Sequence, residues 1–373
     1  MYPVLTVVEA AKRLWTEKAI AEPLEFLYVG TEDGVEAQLA ERAQIAFAPI
    51  QAGQIRILNP FKLARNAMRM MRGTRQARAL LAKWRPDAVF VTGGYVCGPV
   101  VWAAKRQQIP VLIYLPDVRP GMGVQRLAPY ATDIAITFPE VEEHFEKITG
   151  KGAKARIHVT GYPVRPGLQQ RSMSHAQARE VFNLDPERFT LLVFGGSRGA
   201  RAINQTLAAS LPELLKVMQV IHISGQLDYK QAQARAAHLS PEQRARYRLH
   251  PYLHGKMIAA LHAADLVVAR AGASTLGEFP ALGLPAVLIP LPISGGHQRH
   301  NARYLADRGA AVIIENSAMP DELLPTLLEL HDQPQKLAAM SQASLALARP
   351  DAARNIAQIL LGLPARNPQG AAA

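Results

Sequence analysis

Cysteine is almost missing from this chain. Among 373 residues only Cys97 is present, which excludes an intramolecular disulfide. No apolar run reaches the ~18 residues that a membrane-crossing helix needs. The first residues show no basic segment leading into an apolar stretch and a small-residue cleavage site, so no secretory signal is read there. These absences set the expectation of a cytoplasmic protein. Also absent are an Asp-x-Asp pair, a Gly-Lys-Ser/Thr of P-loop type and a Gly-x-Gly-x-x-Gly dinucleotide fingerprint. Negative charge is missing locally: residues 42–86 contain no Asp or Glu.

What remains is an ordinary soluble composition, 49% hydrophobic and 19% charged, with a net charge of +12. The length suits two domains of medium size. The acid-free stretch carries Arg56, Lys62, Arg65, Arg69, Arg72, Arg75, Arg78, Lys83 and Arg85. Lys62, Arg65, Arg69 and Arg72 recur at three- and four-residue spacing and so share one helix face. Phe61, Met68, Met71, Leu80, Leu81 and Trp84 add apolar bulk. Residues 56–85 would suit an anionic membrane surface, each basic residue adding roughly 1 kcal/mol near the headgroups. A merely solvated basic face is the plain alternative. Nucleic acid is disfavoured as a partner, because interleaved aromatics are lacking.

Short apolar runs alternate with amphipathic segments along the chain. Strands are expected at 24–29, 87–91, 110–114, 133–136 and 157–160, then at 190–194, 220–224, 265–269, 285–290 and 311–314. Helices are expected at 61–84, 201–215, 275–282 and 301–308. Such alternation specifies an α/β fold, with parallel sheets covered by helices on both faces. Two series predict two doubly wound, Rossmann-like domains, residues 1–162 and 163–363. The final helix is assigned to the second, and 364–373 is read as a disordered tail. The break is placed at Gly161-Tyr162-Pro163. Ligands of open parallel sheets bind at the carboxyl ends of strands. The opening is unusual: residues 1–10 already read as the start of a helix, where a doubly wound domain would begin with a strand and a loop.

Four strand ends carry the chemistry. In the first, Gly195-Gly196-Ser197-Arg198-Gly199-Ala200 runs from a buried strand into a helix. Glycines allow close backbone approach, and free N–H groups with the helix dipole suit a diphosphate. A structural turn is the alternative. The second is Arg270-Ala271-Gly272-Ala273-Ser274-Thr275-Leu276-Gly277-Glu278. Its Glu278 lies within a helix start and could accept two hydrogen bonds from a ribose diol, or simply complement the helix dipole. The third is the loop from Pro290 through His297, Gln298, His300 and Asn301, whose donors and acceptors suit sugar hydroxyls. A metal at His297 and His300 is disfavoured, since no matched carboxylate or cysteine accompanies them. The fourth, Thr92-Gly93-Gly94-Tyr95-Val96-Cys97-Gly98-Pro99, ends a strand of the other domain and could meet a second phosphate-bearing substrate. A nucleophilic role for Cys97 lacks a neighbouring base in sequence.

These segments resemble the MurG family, the N-acetylglucosaminyltransferases of bacterial peptidoglycan synthesis. Gly93-Gly94-Tyr95-Val96-Cys97-Gly98-Pro99 is similar to the family's GGYVSGP loop. Gly195-Gly196-Ser197-Arg198-Gly199-Ala200, followed by Asn204-Gln205, resembles GGSQGA. The 270–278 segment, His297-Gln298 with Asn301-Ala302, Gly161-Tyr162-Pro163-Val164-Arg165 and Pro350-Asp351-Ala352 resemble further family motifs in order. The likeness spans nearly the whole chain. It implies a GT-B fold and inverting transfer of GlcNAc from UDP-GlcNAc to a lipid-linked muramoyl acceptor, lipid I, at the cytoplasmic membrane face without a cofactor. By position, the Gly195, Gly196, Ser197, Arg198 and Gly199 loop would hold the diphosphate and Glu278 the ribose. Leu253 would read the base through its backbone, and His297 and Gln298 would contact the sugar. Arg165 would lie near the site. Gly93, Gly94, Tyr95 and Asp117 would serve the acceptor side.

Three departures matter. The family's opening strand and GGTGGH loop are not seen, and Met1 stands immediately before Tyr2-Pro3 where that loop would continue. The expectation is a start placed one loop late, leaving an acceptor side without its proposed histidine and a poorly active chain. No catalytic base can be named. The family's HEQN segment is Tyr114-Leu115-Pro116-Asp117 here, so Asp117 replaces an amide that would meet the N-acetyl group. Gly-Asn-Pro has become Gly161-Tyr162-Pro163. Two other readings stand beside this one: another lipid-directed glycosyltransferase of diacylglycerol type, and a non-catalytic UDP-sugar-binding protein.

Overall fold

The computed structural model describes residues 2–32, 36–53, 60–149, 155–169, 173–196, 200–253, 255–292 and 296–363. The chain forms two units, Met1–Pro163 with Asp351–Ala373, and Val164–Pro350. The first crossing falls beside the Gly-Tyr-Pro break read from sequence.

The first unit contains β1 (Leu27–Gly30), β2 (Ala46–Pro49), β3 (Val89–Val91), β4 (Val111–Leu115), β5 (Asp133–Ile136) and β6 (Arg156–Val159). All pairings are parallel, with β1 on β2 in one sheet and β3-β4-β5-β6 in another. Every residue of β4 and of β5 is buried. Apart from Asp133, which Arg156 and His158 partner, both strands are apolar, because a sheet covered on both faces needs no alternation.

The second unit contains β7 (Thr190–Phe194), β8 (Gln219–Ile223), β9 (Tyr247–His250), β10 (Leu266–Ala269), β11 (Ala286–Leu288) and β12 (Ala311–Ile313). They make one parallel sheet in the order β12-β11-β10-β7-β8-β9. This is the doubly wound order, and its switch point lies between β7 and β10. The helices Arg201–Val217 and Met319–Asp332 cover one face, burying Ile203, Leu207, Leu211, Leu214, Leu323 and Leu327. Among the described residues the first unit has no such single sheet; its strands form a two-stranded and a four-stranded one.

One assignment is corrected. The last helix, Ala352–Leu361, belongs to the first unit rather than the second. Its stripe of Ala353, Ile356, Ala357 and Leu360 recurs at three- and four-residue spacing and needs an apolar partner. The helix Tyr2–Glu17 supplies one with Val7, Ala11 and Leu14, over Leu112, Tyr114 and Ala135 of the sheet. The tail at 364–373 lies outside the described residues.

Candidate functional site

The six parallel strands of the second unit share one carboxyl edge; the predicted residues follow β7, β9, β10 and β11 there, and Arg165 precedes β7. Phe194 and Ala269 are register partners at the ends of β7 and β10. Gly195 and Arg270 therefore leave the sheet side by side at the switch point, where the two loops diverge. Gly196 has φ +90° and open space where a Cβ would stand, so glycine serves both the turn and access to the backbone. Ser197, Arg198 and Gly199 lie outside the described residues. The helix that follows has Ala200 at its N-cap, no side-chain cap and no acidic residue in its first turn. Its leading N–H groups carry the positive end of the dipole without a competing carboxylate from the helix itself.

From β10 the chain turns through Gly272, where a Cβ would again meet nothing within 4 Å. The Thr275 hydroxyl donates to Gly272 O at 2.8 Å, tightening the turn into the helix Thr275–Leu282. Glu278 lies in that helix's first turn and is 6% exposed. Arg165 holds it: Nε donates to Oε1 at 3.1 Å and Nη2 to the same oxygen at 2.7 Å. Both of these hydrogen bonds fall on Oε1 rather than Oε2. A carboxylate this buried requires a cationic partner, and Arg165 supplies one from the start of the unit. Burial lowers the pKa of the Arg270 guanidinium, whose Nη1 donates to Ile289 O at 3.1 Å and braces β10 against the β11 loop.

Beyond β11, Gly296 (φ +82°) opens the helix His297–Ala306. Nδ1 of His297 is buried with no hydrogen-bond partner among the described residues. Gln298 Oε1 accepts from Leu291 N at 2.9 Å and so fastens its own loop. Asn301, fully buried, donates to Ala271 O at 3.1 Å and ties this helix to the 270–278 turn. Leu253 follows edge strand β9 and is 6% exposed, its carbonyl accepting from Lys256 N at 3.1 Å.

In the first unit, Gly93 (φ +95°) and Gly94 (φ +104°) follow β3, with nothing near a Cβ at Gly94. Tyr95 is 54% exposed. The Cys97 thiol donates to Gly93 O at 2.9 Å, and burial pushes its pKa up to about 11. It therefore closes the turn as a neutral thiol instead of acting as a nucleophile. Asp117 stands just past the end of β4, the strand beside β3. The basic segment folds as the helix Pro60–Trp84. Asn66, Met70, Gly73, Ala77 and Leu81 are its buried stripe, with Met70 and Gly73 in reach of Gly98 and Pro99 of the helix Cys97–Arg106. Arg65, Arg69, Arg72, Arg75 and Arg78 are exposed, as are Met68 and Met71. Residues 56–59 lie outside the described set.

Among the described residues no three His, Cys, Asp or Glu side chains gather to hold a metal ion. The sequence reading did not single out Asp228 or His222, and noted Asn204 only as part of a likeness. Asn204, on the 201–217 helix, bonds both of the others. The signal for Asn204 was its spacing, one turn into the helix behind the glycine turn; nothing local marked the other two.

The glycosyltransferase family 28 C-terminal domain matches residues 190–356, and the family's N-terminal domain matches residues 7–136. A protein of Roseiflexus sp. (strain RS-1) is 41% identical over 366 residues, covering 90% of this chain and 82% of that protein. It is named UDP-N-acetylglucosamine–N-acetylmuramyl-(pentapeptide) pyrophosphoryl-undecaprenol N-acetylglucosamine transferase. A Bacillus subtilis (strain 168) protein of the same name is 34% identical, covering 96% of this chain and 95% of its own. The crystal structure of Acinetobacter baumannii MurG superposes with a TM-score of 0.71 at 27% identity, over 96% of this chain and 95% of that one. Fold and site thus define a two-domain glycosyltransferase of the GT-B type. More narrowly, the chain belongs to glycosyltransferase family 28, within the group that these N-acetylglucosamine transferases form.

Proposed function

We propose that this chain transfers N-acetylglucosamine, with inversion, from UDP-GlcNAc to a lipid-linked N-acetylmuramyl-pentapeptide acceptor, lipid I, yielding lipid II. The observation that carries this reading is the carboxyl edge of the second sheet. The Gly195–Gly196 turn, the uncapped helix and the Arg165–Glu278 pair converge there on the switch point. The names of relatives at 34–41% identity support the same chemistry.

Each group has a physical task. The helix N–H groups, with Ser197 and Arg198, neutralise the diphosphate as it departs. Glu278 accepts from the ribose hydroxyls, with Arg165 fixing its plane. Leu253 reads the base through its backbone. Nδ1 of His297, without a partner among the described residues, and the amide of Gln298 meet the sugar. Gly93, Gly94, Tyr95 and Asp117 serve the acceptor in the first unit. No step here requires a cofactor. Exposed arginines beside Met68 and Met71 support contact with anionic lipid, and on this reading the enzyme works peripherally at the cytoplasmic membrane face. No described helix is long and apolar enough to cross a membrane.

The test is transfer of labelled sugar from UDP-GlcNAc, UDP-glucose and UDP-galactose, each with lipid I and with diacylglycerol. Turnover of UDP-GlcNAc with lipid I alone is expected. Preference for diacylglycerol would favour another lipid-directed glycosyltransferase, and preference for a sugar lacking the acetamido group would answer the question that Asp117 raises about the donor. Binding of UDP without turnover would favour a non-catalytic binder. Reversal of Arg69, Arg72 and Arg75 to Glu should cut cosedimentation with anionic vesicles by about 100-fold or more, on roughly 1 kcal/mol per basic residue.

A further inference from the structure

Beneath the 201–217 helix lies a chain of buried polar groups that the proposed reaction does not use directly. Asn204 is 6% exposed, His222 1%, Tyr247 7% and Asp228 7%. The Asn204 amide nitrogen donates to Ser224 O at 2.8 Å and to Asp228 Oδ2 at 2.9 Å. Both its hydrogens are thereby committed, so Oδ1 must accept. His222 Nε2, 3.0 Å away, is then the donor. Nδ1 of the same ring must accept, and the Tyr247 hydroxyl donates to it at 2.6 Å. Flipping the Asn204 amide would set its oxygen against a carbonyl and a carboxylate, so the network admits one proton arrangement. Arg201 Nε closes the chain on Asp228 Oδ1 at 3.2 Å.

The position of Asn204 gives this network a task. Its backbone N–H makes the bond to Ala200 O at 3.0 Å that begins the helical ladder. The N–H groups of Arg201, Ala202 and Ile203 lie ahead of it and are the ones a helix start offers to an anion. Anchoring Asn204 therefore sets where those three amides aim. The anchor points are the carboxyl end of β8 and, through Ser224 N to His250 O at 3.0 Å, the end of β9 that leads to Leu253. We propose that Asn204, oriented by His222, Tyr247 and Asp228, is a positioning residue for the donor diphosphate. It locks the first turn of the phosphate-facing helix to the strand ends beside the base-reading loop. This rests on the donor-site reading above.

Titration of the full chain with UDP and separately with uridine tests it, because only UDP carries the phosphates. Asn204→Ala should raise the UDP dissociation constant about tenfold, the equivalent of ~1.4 kcal/mol, with uridine changed by less than about twofold. Tyr247→Phe, which keeps the ring and removes one O–H, should weaken UDP about threefold with the same selectivity. It provides the reading if Asn204→Ala does not fold. Nitrogen NMR of the His222 ring should report the neutral Nε2–H tautomer throughout the range in which a free imidazole titrates. Equal weakening of UDP and uridine would overturn the proposal and leave Asn204 a purely structural residue. So would unchanged UDP binding in both variants. A wild-type chain that binds uridine no worse than UDP would overturn the donor-site reading itself, and the positioning role with it.

Discussion

Arg165 and Glu278 are 113 positions apart, yet the two make the best-defined contact of the candidate site. Removing the cation leaves a carboxylate at 6% exposure without its partner. Arg165→Ala is therefore expected to destabilise the second unit by about 2–3 kcal/mol in urea denaturation, below the full cost of breaking a buried pair because the Arg165 side chain is 20% exposed. Glu278→Ala tests the ligand side. Wild type should prefer UDP to 2′-deoxy-UDP by about tenfold or more, the worth of a charge-assisted hydrogen bond, and the variant should bind both alike. A second residue-scale expectation concerns acid. Burial lowers the His222 pKa from 6.5 to about 4. The unfolded chain then binds the proton more readily than the folded one, so stability is complete above pH ~6.5 and falls as pH drops toward 4. Between pH 7 and pH 5 this one group should cost about 2 kcal/mol. His222→Gln should lack that increment in parallel denaturation curves. Sequence marked Arg165 and Glu278 separately, each from its motif. That they bond to one another was illegible, because a long-range pair leaves no local spacing. The same is true of His222, which sits within a strand as one polar residue among apolar ones.

Elements were more legible where they bury two faces than where they bury one. The interior strands β4, β7, β8 and β10 are predominantly apolar, with Thr190, Gln219 and His222 as their buried polar residues, and each lies within about a residue of its expected place. The edge strands β2 and β9, Ala46-Phe-Ala-Pro49 and Tyr247-Arg-Leu-His250, were not read as strands at all. They are only partly buried and end in residues common in loops, so a propensity reading passes over them. The helix Pro60–Trp84 was legible from its arginine spacing, but its packing was not. Gly73 lies in its middle, and propensity alone would have Ala stabilise that site by about 1 kcal/mol. The structure reverses the sign. A Cβ at Gly73 would stand 1.8 Å from Gln51 O, a backbone atom that cannot swing aside. Gly73→Ala should therefore lower the midpoint of thermal unfolding, with a cost of about 1–3 kcal/mol typical of overpacking. A midpoint equal to or above wild type would show that the helix and the 51 loop are not held in this contact.

At the scale of the whole molecule, the two-unit plan was legible from two series of strand signals, while the return of the chain's end was not. Pro350-Asp351 reads as the start of one more helix, and nothing in a helix's own sequence states which of two cores its apolar stripe will meet. The stripe of Ile356 and Ala357 meets Val7, Ala11 and Leu14, joining the last described helix to the first. Arg354 reaches Glu17 through two bonds at 2.9 and 3.1 Å, but both side chains are about half exposed. Exposed pairs contribute little beside buried apolar area, so the junction should depend on Ile356 rather than on the ion pair. Ile356→Ala is expected to destabilise the first unit by about 2–4 kcal/mol through the cavity it leaves, with amide exchange accelerated along Tyr2–Glu17. Arg354→Ala should leave that exchange nearly unchanged. The residues assigned to UDP all belong to Val164–Pro350, so UDP affinity should be retained in Ile356→Ala while transfer to the lipid acceptor falls. Loss of UDP binding in step with the loosening of Tyr2–Glu17 would mean that the second unit does not hold its nucleotide independently, and the division of labour between the units would have to be abandoned.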